Sequence, residues 1–311
     1  MYPAPSPEQE TRHQAKLIVN MVVAVFLIIG LLLVLQHFHF IFLKDIPLVG
    51  DWLLDLYERV FGPPMILIIH GEDSIGDWQL LRERLSRNFI FVSEELNINE
   101  VSGGLGGGFL SPYSLIIVED CKRLDKDKLL NLLEYVGTGG NLIWVGDAGT
   151  YGVVKYNDRV LREQFGWDRG LVCINQKTLT SCNCTLASNT SDCKFLRDEA
   201  ERKAVHFQNK LGVSYVGSKN VQMPRIEIVN RNHWVTTGVK RAYDVGQVDK
   251  IAQVEVSYQS SLLANIGFAD SKYPALVSQD GFGSDGMVIY FSYPPEETLE
   301  ILEPLVRRLR Y

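Results

Sequence analysis

Residues Tyr113 to Thr150 constrain the fold of this chain more than any other stretch. They read strand, helix, strand. Ser114 to Val118 is a short apolar, β-branched run that ends in Glu119 and Asp120. Asp125 is placed to cap a helix whose apolar residues Leu129, Leu132, Leu133 and Val136 fall at helical spacing. Gly137, Gly139 and Gly140 stop that helix, because glycine accepts the left-handed conformation of a helix end. Asn141 to Val145 is a second apolar strand, closed by the sharp turn Gly146-Asp147-Ala148-Gly149. Two buried strands joined by a helix make a right-handed crossover, the unit of a parallel sheet.

A second constraint precedes it. Leu17 to Leu43 is almost wholly apolar, with Asn20, Gln36, His37 and His39 its only strongly polar residues. A bilayer needs roughly 20 residues of helix, so residues 17–43 read as a transmembrane helix in contact with lipid. The alternative, a buried core helix, suits so long an uncharged run poorly. A cleaved signal peptide fits less well than an anchor, since bulky Phe38, Phe40, Ile41 and Phe42 stand where small residues would mark cleavage. Residues 1–16 read as a polar tail. Arg12 and Lys16 precede the span and Lys44 follows it, which places the tail in the cytoplasm and the rest outside the cell membrane. Residues 46–62 form an amphipathic juxtamembrane helix candidate, with Trp52, Leu53, Leu56, Tyr57, Val60 and Phe61 on one face. It suits the bilayer surface or a contact with the following domain equally well.

Pro63-Pro64 opens that domain, residues 65–311. Met65 to Ile69 is the first strand, and His70-Gly71-Glu72-Asp73-Ser74 leaves its end as a loop. Asp77 to Leu85 has helical spacing, and Phe89 to Val92 reads as the second strand. Gly103 to Gly108 lacks the Lys-Ser/Thr ending of a phosphate loop and reads as a surface loop. Asn157 is placed to cap a helix through Phe165. Strands follow at Arg225 to Val229, Ile251 to Val256 and Leu262 to Phe268, then a hairpin of Pro274 to Ser278 and Met287 to Ser292. Glu296 to Arg310 is a last amphipathic helix. The chain of 311 residues has net charge −6 and no basic run, which speaks against nucleic-acid binding.

Residues 166–224 read as an insertion holding Cys173, Cys182, Cys184 and Cys193. Three readings stay open. An oxidising exterior permits two disulfides, in any of three connectivities. The spacing matches no common zinc pattern and no histidine is close, which weakens a metal site. Buried free thiols are the third. Cys121 is expected to stay unpaired. Asn183 and Asn189 begin glycosylation triplets in the same stretch, consistent with an exposed extracytoplasmic loop.

Three passages then carry a resemblance. Leu129 to Val145 matches a helix, double glycine and strand. Asn232 to Val239 matches a His-Pro-Ile/Val-Thr-x-Gly segment, with Trp234 in the proline position. Tyr273 to Ser292 matches a closing hairpin. In their order and spacing they resemble the class I glutamine amidotransferase-like superfamily, particularly its ThuA-like and related non-amidotransferase branches. The resemblance covers residues 65–311 outside the insertion. It implies an α/β fold: a three-layer, parallel-sheet, amidotransferase-like (flavodoxin-like) domain behind the transmembrane helix.

The resemblance also implies what the chain lacks. Amidotransferases of this class place a cysteine nucleophile on the turn after the strand that Asn141 to Val145 matches, and Ala148 stands there. Their histidine and glutamate follow the last strand as His-Pro-Glu. Here the match is Tyr293-Pro294-Pro295-Glu296, with Pro294 at the histidine position. Such an enzyme needs nucleophile and base within hydrogen-bond reach. His233 reads as a loop residue, since its segment occurs in branches with and without activity. Other chemistry could use the crevice at the strand C-termini, where His70, Glu72, Asp73, Glu119, Asp120 and Asp147 map. There the acids could bind a metal or a sugar, do acid–base work, or simply cap helices and make turns. The expectation is a non-catalytic binding or assembly subunit of a membrane complex, with a protein partner and no metal or cofactor. A small-molecule or sugar ligand stays open. Related domains resemble this in the non-catalytic lumenal subunit of oligosaccharyltransferase and in gliding-motility transport proteins. The alternative is an extracytoplasmic hydrolase or carbohydrate-active enzyme using the acidic crevice.

Overall fold

The computed structural model describes residues 7–37, 46, 49–72, 74–88, 90, 92–101, 105, 108–155, 171–175, 211–268, 271–282 and 286–310. They divide into two compact units, residues 1–64 and residues 65–310.

The first unit is helical. Helix α1 runs Pro7–His37, starting well inside the expected tail. Proline suits a first helical turn, and Glu8 and Glu10 favour the positive end of the helix dipole. Its stretch Lys16–Leu35 is, among the described residues, the one helix long and apolar enough to cross a membrane, with mean hydropathy 3.1. Helix α2, Gly50–Phe61, packs back on α1 by burying Leu53 against Leu33. Its expected apolar face is therefore split. Leu53 is covered, whereas Trp52 and Val60 stay exposed.

The second unit is built on one large sheet. Its elements in chain order are β1 Met65–His70, α3 Trp78–Arg87, β2 Glu94–Asn97, β3 Tyr113–Val118, β4 Arg123–Asp125, α4 Lys126–Gly137 and β5 Asn141–Val145. Next come β6 Tyr151–Lys155, β7 Leu171–Asn175, β8 Val213–Asn220, β9 Arg225–Ile228 and β10 Ala242–Asp244. The unit closes with β11 Lys250–Val256, β12 Ser261–Phe268, β13 Ser271–Phe282, β14 Gly286–Phe291, a 3-10 turn at Pro295–Glu297 and α5 Leu299–Leu309. Nine strands lie in the order β10-β9-β12-β13-β14-β5-β3-β1-β2. From β14 to β2 all neighbours are parallel. From β14 outward to β10 all are antiparallel. The sheet is therefore mixed rather than parallel throughout. The closing hairpin seeds the antiparallel half, because a tight turn can only reverse the chain.

Both faces of the parallel half are covered, which is why its strands are continuous apolar runs rather than alternating ones. Leu81 and Leu85 of α3, with Ile301, Leu305 and Val306 of α5, pack on Ile66, Ile68, Ile117 and Ile143. Leu129, Leu132 and Val136 of α4 pack on the opposite face, against Leu67, Ile69, Ile116 and Leu142. The antiparallel ribbon β8–β11 joins that second layer through Val213, Ala252 and Val254. The last part of the expected insertion is thus integral to the domain. A small sheet β4-β6-β7 lies apart.

The second strand differs from expectation. It is Glu94–Asn97 and not Phe89 to Val92. The ladder to β1 starts only after Ser93, whose N–H donates to the Ile66 carbonyl at 2.9 Å. Ile90 and Val92 are buried beneath α3 and α5 instead. An edge strand needs charge more than apolar alternation, and Glu94 and Glu95 supply it. The expected helix after Asn157 lies outside the described residues, as do Gly103, Gly104, Gly106 and Gly107.

Candidate functional site

Strands β1, β3, β5 and β14 end on one side of the sheet, and their loops carry most of the acids singled out above. The elbow after β5 is tightly held. Gly146 has φ +61, and a Cβ there would sit 2.6 Å from Ile75 Cβ, so only glycine fits. Its N–H donates to the Phe291 carbonyl and the Gly149 N–H donates to the Cys121 carbonyl, each at 2.7 Å. The Tyr290 hydroxyl donates to the Gly146 carbonyl at 2.7 Å.

Asp147 points inward from this elbow and is fully buried. Its Oδ1 accepts from the Ser74 hydroxyl at 2.8 Å and from the Ile75 N–H at 2.9 Å. Its Oδ2 lies 3.4 Å from Lys122 Nζ and 4.0 Å from Lys250 Nζ. One carboxylate thus ties together the loop after β1, the loop after β3, the β5 elbow and the start of β11. Asp120 has a left-handed backbone, φ +46, and its Oδ1 accepts from the Ser74 N–H at 3.1 Å. Ser74 therefore bridges two of the expected acids.

The other expected residues are placed differently. Glu72 is exposed, and its carbonyl accepts from the Lys122 N–H at 3.4 Å. Asp73 lies outside the described residues. His70 is buried, with its ring stacked on Trp78 at 3.8 Å between centroids and 12° between planes. Burial lowers its pKa, opposed by Glu95 and Glu100. Its ring belongs with α3 and the β2 edge rather than with Asp147.

Glu119 faces a partner that the sequence reading left out of the site. It is fully buried, and among the described residues no amide, ammonium or hydroxyl donor reaches either of its oxygens. Its carboxyl faces that of Glu296 of the 3-10 turn, whose Oε2 likewise has no donor among the described residues. Glu296 is 2% exposed, and its Oε1 accepts from the Asp77 N–H at 2.9 Å. Two facing carboxyls with no other donor can hydrogen-bond only when one of them is protonated. Burial is the main cause that raises the pKa of both, and the facing carboxyl raises that of Glu119 further. One signal was available in the sequence: Glu296 occupies the glutamate position of the resembling motif, two residues after Pro294. For Ser74, Lys122 and Lys250 no comparable signal existed.

The positions implied by the amidotransferase resemblance are closed. Ala148 is 2% exposed, and its carbonyl accepts from the Trp144 indole N–H at 3.0 Å. The Cys121 thiol is free and buried, with its pKa pushed up by burial, which disfavours the reactive thiolate. His233 serves its own loop: Nδ1 accepts from the Val235 N–H at 3.3 Å, and its carbonyl accepts from Thr236 and Thr237. Among the described residues no group of three or more His, Cys, Asp or Glu is arranged to hold a metal ion. Cys173 lies on β7, and Cys182, Cys184, Cys193, Asn183 and Asn189 lie outside the described residues.

No protein-family model matches the sequence, and no curated protein matches it. Solved structures similar to the chain include a ThuA-like protein from Bacteroides uniformis, at 12% identity and TM-score 0.45, covering 80% of this chain and 90% of that one. A ThuA-like protein from Parabacteroides merdae has 14% identity and TM-score 0.40, covering 74% of this chain and 79% of that one. A β-galactosidase from Bacillus circulans has 14% identity and TM-score 0.48, covering 84% of this chain. This chain spans 34% of the length of that β-galactosidase.

Proposed function

We propose that this chain is a membrane-anchored, non-catalytic binding or assembly subunit with its α/β domain on the extracytoplasmic side. The observation that carries this reading is the state of Asp147. It stands beside the elbow where the resembling enzymes hold their nucleophile, and it is buried, with Oδ1 bonded to Ser74 and Ile75 and Oδ2 paired with Lys122 and Lys250. Glu119 and Glu296 likewise face each other rather than a cleft. The anchor is the stretch Lys16–Leu35, and Arg12 and Lys16 on its N-terminal side favour a cytoplasmic N-terminus. The nucleophile and histidine positions of the resembling family are occupied by Ala148 and Pro294.

One observation favours the hydrolase reading. Asp120 keeps a left-handed backbone at the end of β3, and strained residues gather at working sites. An assay separates the two. The full chain in detergent is tested against glutamine, simple esters and aryl glycosides, with and without divalent metals. The subunit reading expects no turnover above buffer. Turnover that Asp120→Asn abolishes without lowering thermal stability would establish the hydrolase instead.

A further inference from the structure

The Glu119–Glu296 contact lies outside the proposed binding role and asks for its own explanation. It joins two parts of the domain that are far apart in sequence. Glu119 follows β3. Glu296 sits in the turn that leads from β14 into α5, and it also receives the Asp77 N–H at the start of α3. The contact is sealed from water: Gly76, with φ +114, passes so close that a Cβ there would lie 2.4 Å from Glu119 Oε1. The surrounding charges do not neutralise a second negative charge. Asp77 and Asp120 both act on Glu119, and Glu297 acts on Glu296. Among the described residues Arg84 of α3 reaches the turn, and it is committed to the Glu296 carbonyl and, at 3.3 Å, to the Glu297 carboxylate. The neighbouring Tyr293 phenol is bonded to the Thr298 hydroxyl at 2.8 Å.

We propose that Glu119 and Glu296 form a proton-operated latch. While they share a proton, it holds the 3-10 turn and the start of α3 against the end of the sheet. When the proton is lost, it lets them go. The physics is that of two carboxyls in a dry site. With one proton present, the contact is a charge-assisted hydrogen bond. With none, two carboxylates face each other without a donor, and repulsion adds to the cost of burying both. The cheapest relief is movement of the turn, since Glu119 is fixed at the end of a central strand. Movement of Glu296 withdraws the acceptor from the Asp77 N–H and uncovers the strand ends beneath Gly76.

Hydrogen exchange followed by mass spectrometry tests this on the full chain in detergent, from pH 5 to pH 9, after correction for the intrinsic tenfold change per pH unit. Protection of the Gly76–Asp77 and Glu297–Thr298 amides is expected to fall by at least tenfold more than that of the β3 and β14 amides. In Glu119→Gln the amide can donate to Glu296 at every pH, so the selective loss should vanish. Glu296→Gln makes the same forecast and serves if the first variant does not fold. Unchanged protection in the wild type across this range overturns the latch, as does an equal loss in either folded glutamine variant. Adding Mg2+ or Ca2+ at pH 9 is a further arm. Restored protection would mean that the pair binds a cation in place of a proton, and the latch would again be wrong.

Discussion

Asp147 and Asp120 hold the loops at the strand ends through Ser74 and Ile75. Asp147→Asn keeps the Oδ1 acceptor that serves both Ser74 and Ile75 but removes the charge between Lys122 and Lys250. We expect a loss of roughly 1–3 kcal/mol, read as a lower urea midpoint with an unchanged slope. Gly76→Ala places a Cβ against Glu119 in a conformation with φ +114 and should cost roughly 1–3 kcal/mol by the same measurement. His70 gives a pH signature. Its folded pKa lies below the ordinary 6.5, so the unfolded chain takes up the proton first as pH falls. The stability it contributes is complete above 6.5 and is lost as pH falls through the lower folded value. His70→Phe retains the stack on Trp78 without the charge. The melting temperature of the wild type should therefore fall relative to this variant between pH 7 and pH 5. A constant gap would show that the ring is not as buried as described.

At the scale of elements, the sequence was legible wherever packing on two faces wrote a continuous apolar run. β1, β3, β5 and β14 are such runs, and glycine closes α4 where expected. Helix α3 was legible from its apolar spacing, and the structure adds its cap: Asp77 accepts from the Gln79 and Leu80 amides at 3.0 and 3.1 Å. Asp77→Ala should cost about 1 kcal/mol in thermal or urea unfolding. What misled was burial without a ladder. Ile90 and Val92 look like a strand because they are apolar, yet the backbone pairs only from Glu94 onward, where the side chains are charged. Glu296 was read as the start of a helix, whereas it sits in a 3-10 turn and faces Glu119 from 177 positions away in the chain, a proximity no local pattern encodes. The strand-end acids were legible as a group. That Asp147 and Glu119 turn inward while Glu72 stays exposed follows from tertiary contacts with Ser74, Ile75 and Glu296.

In the whole chain an apolar helix precedes an α/β domain in which Asp120 and Asp147 bond to Ser74 and Ile75. The mixed sheet explains why a parallel-sheet reading was only half right: the crossover stretch specifies the parallel half, and the hairpin at its far end specifies the antiparallel half. Topology gives one forecast. Protease added to intact cells should cut within residues 65–311 and leave the N-terminal tail whole, because the positive residues precede the span. Digestion of the tail alone would invert the arrangement and remove the reason to expect disulfides among Cys173, Cys182, Cys184 and Cys193. The central claim, that the chain works as part of a membrane assembly, is met most directly by native mass spectrometry of the full chain extracted from its own membranes in mild detergent. The predicted result is a discrete species heavier than the 35.2 kDa of one chain, with one constant stoichiometry across preparations. A single chain of 35.2 kDa in every preparation would contradict it.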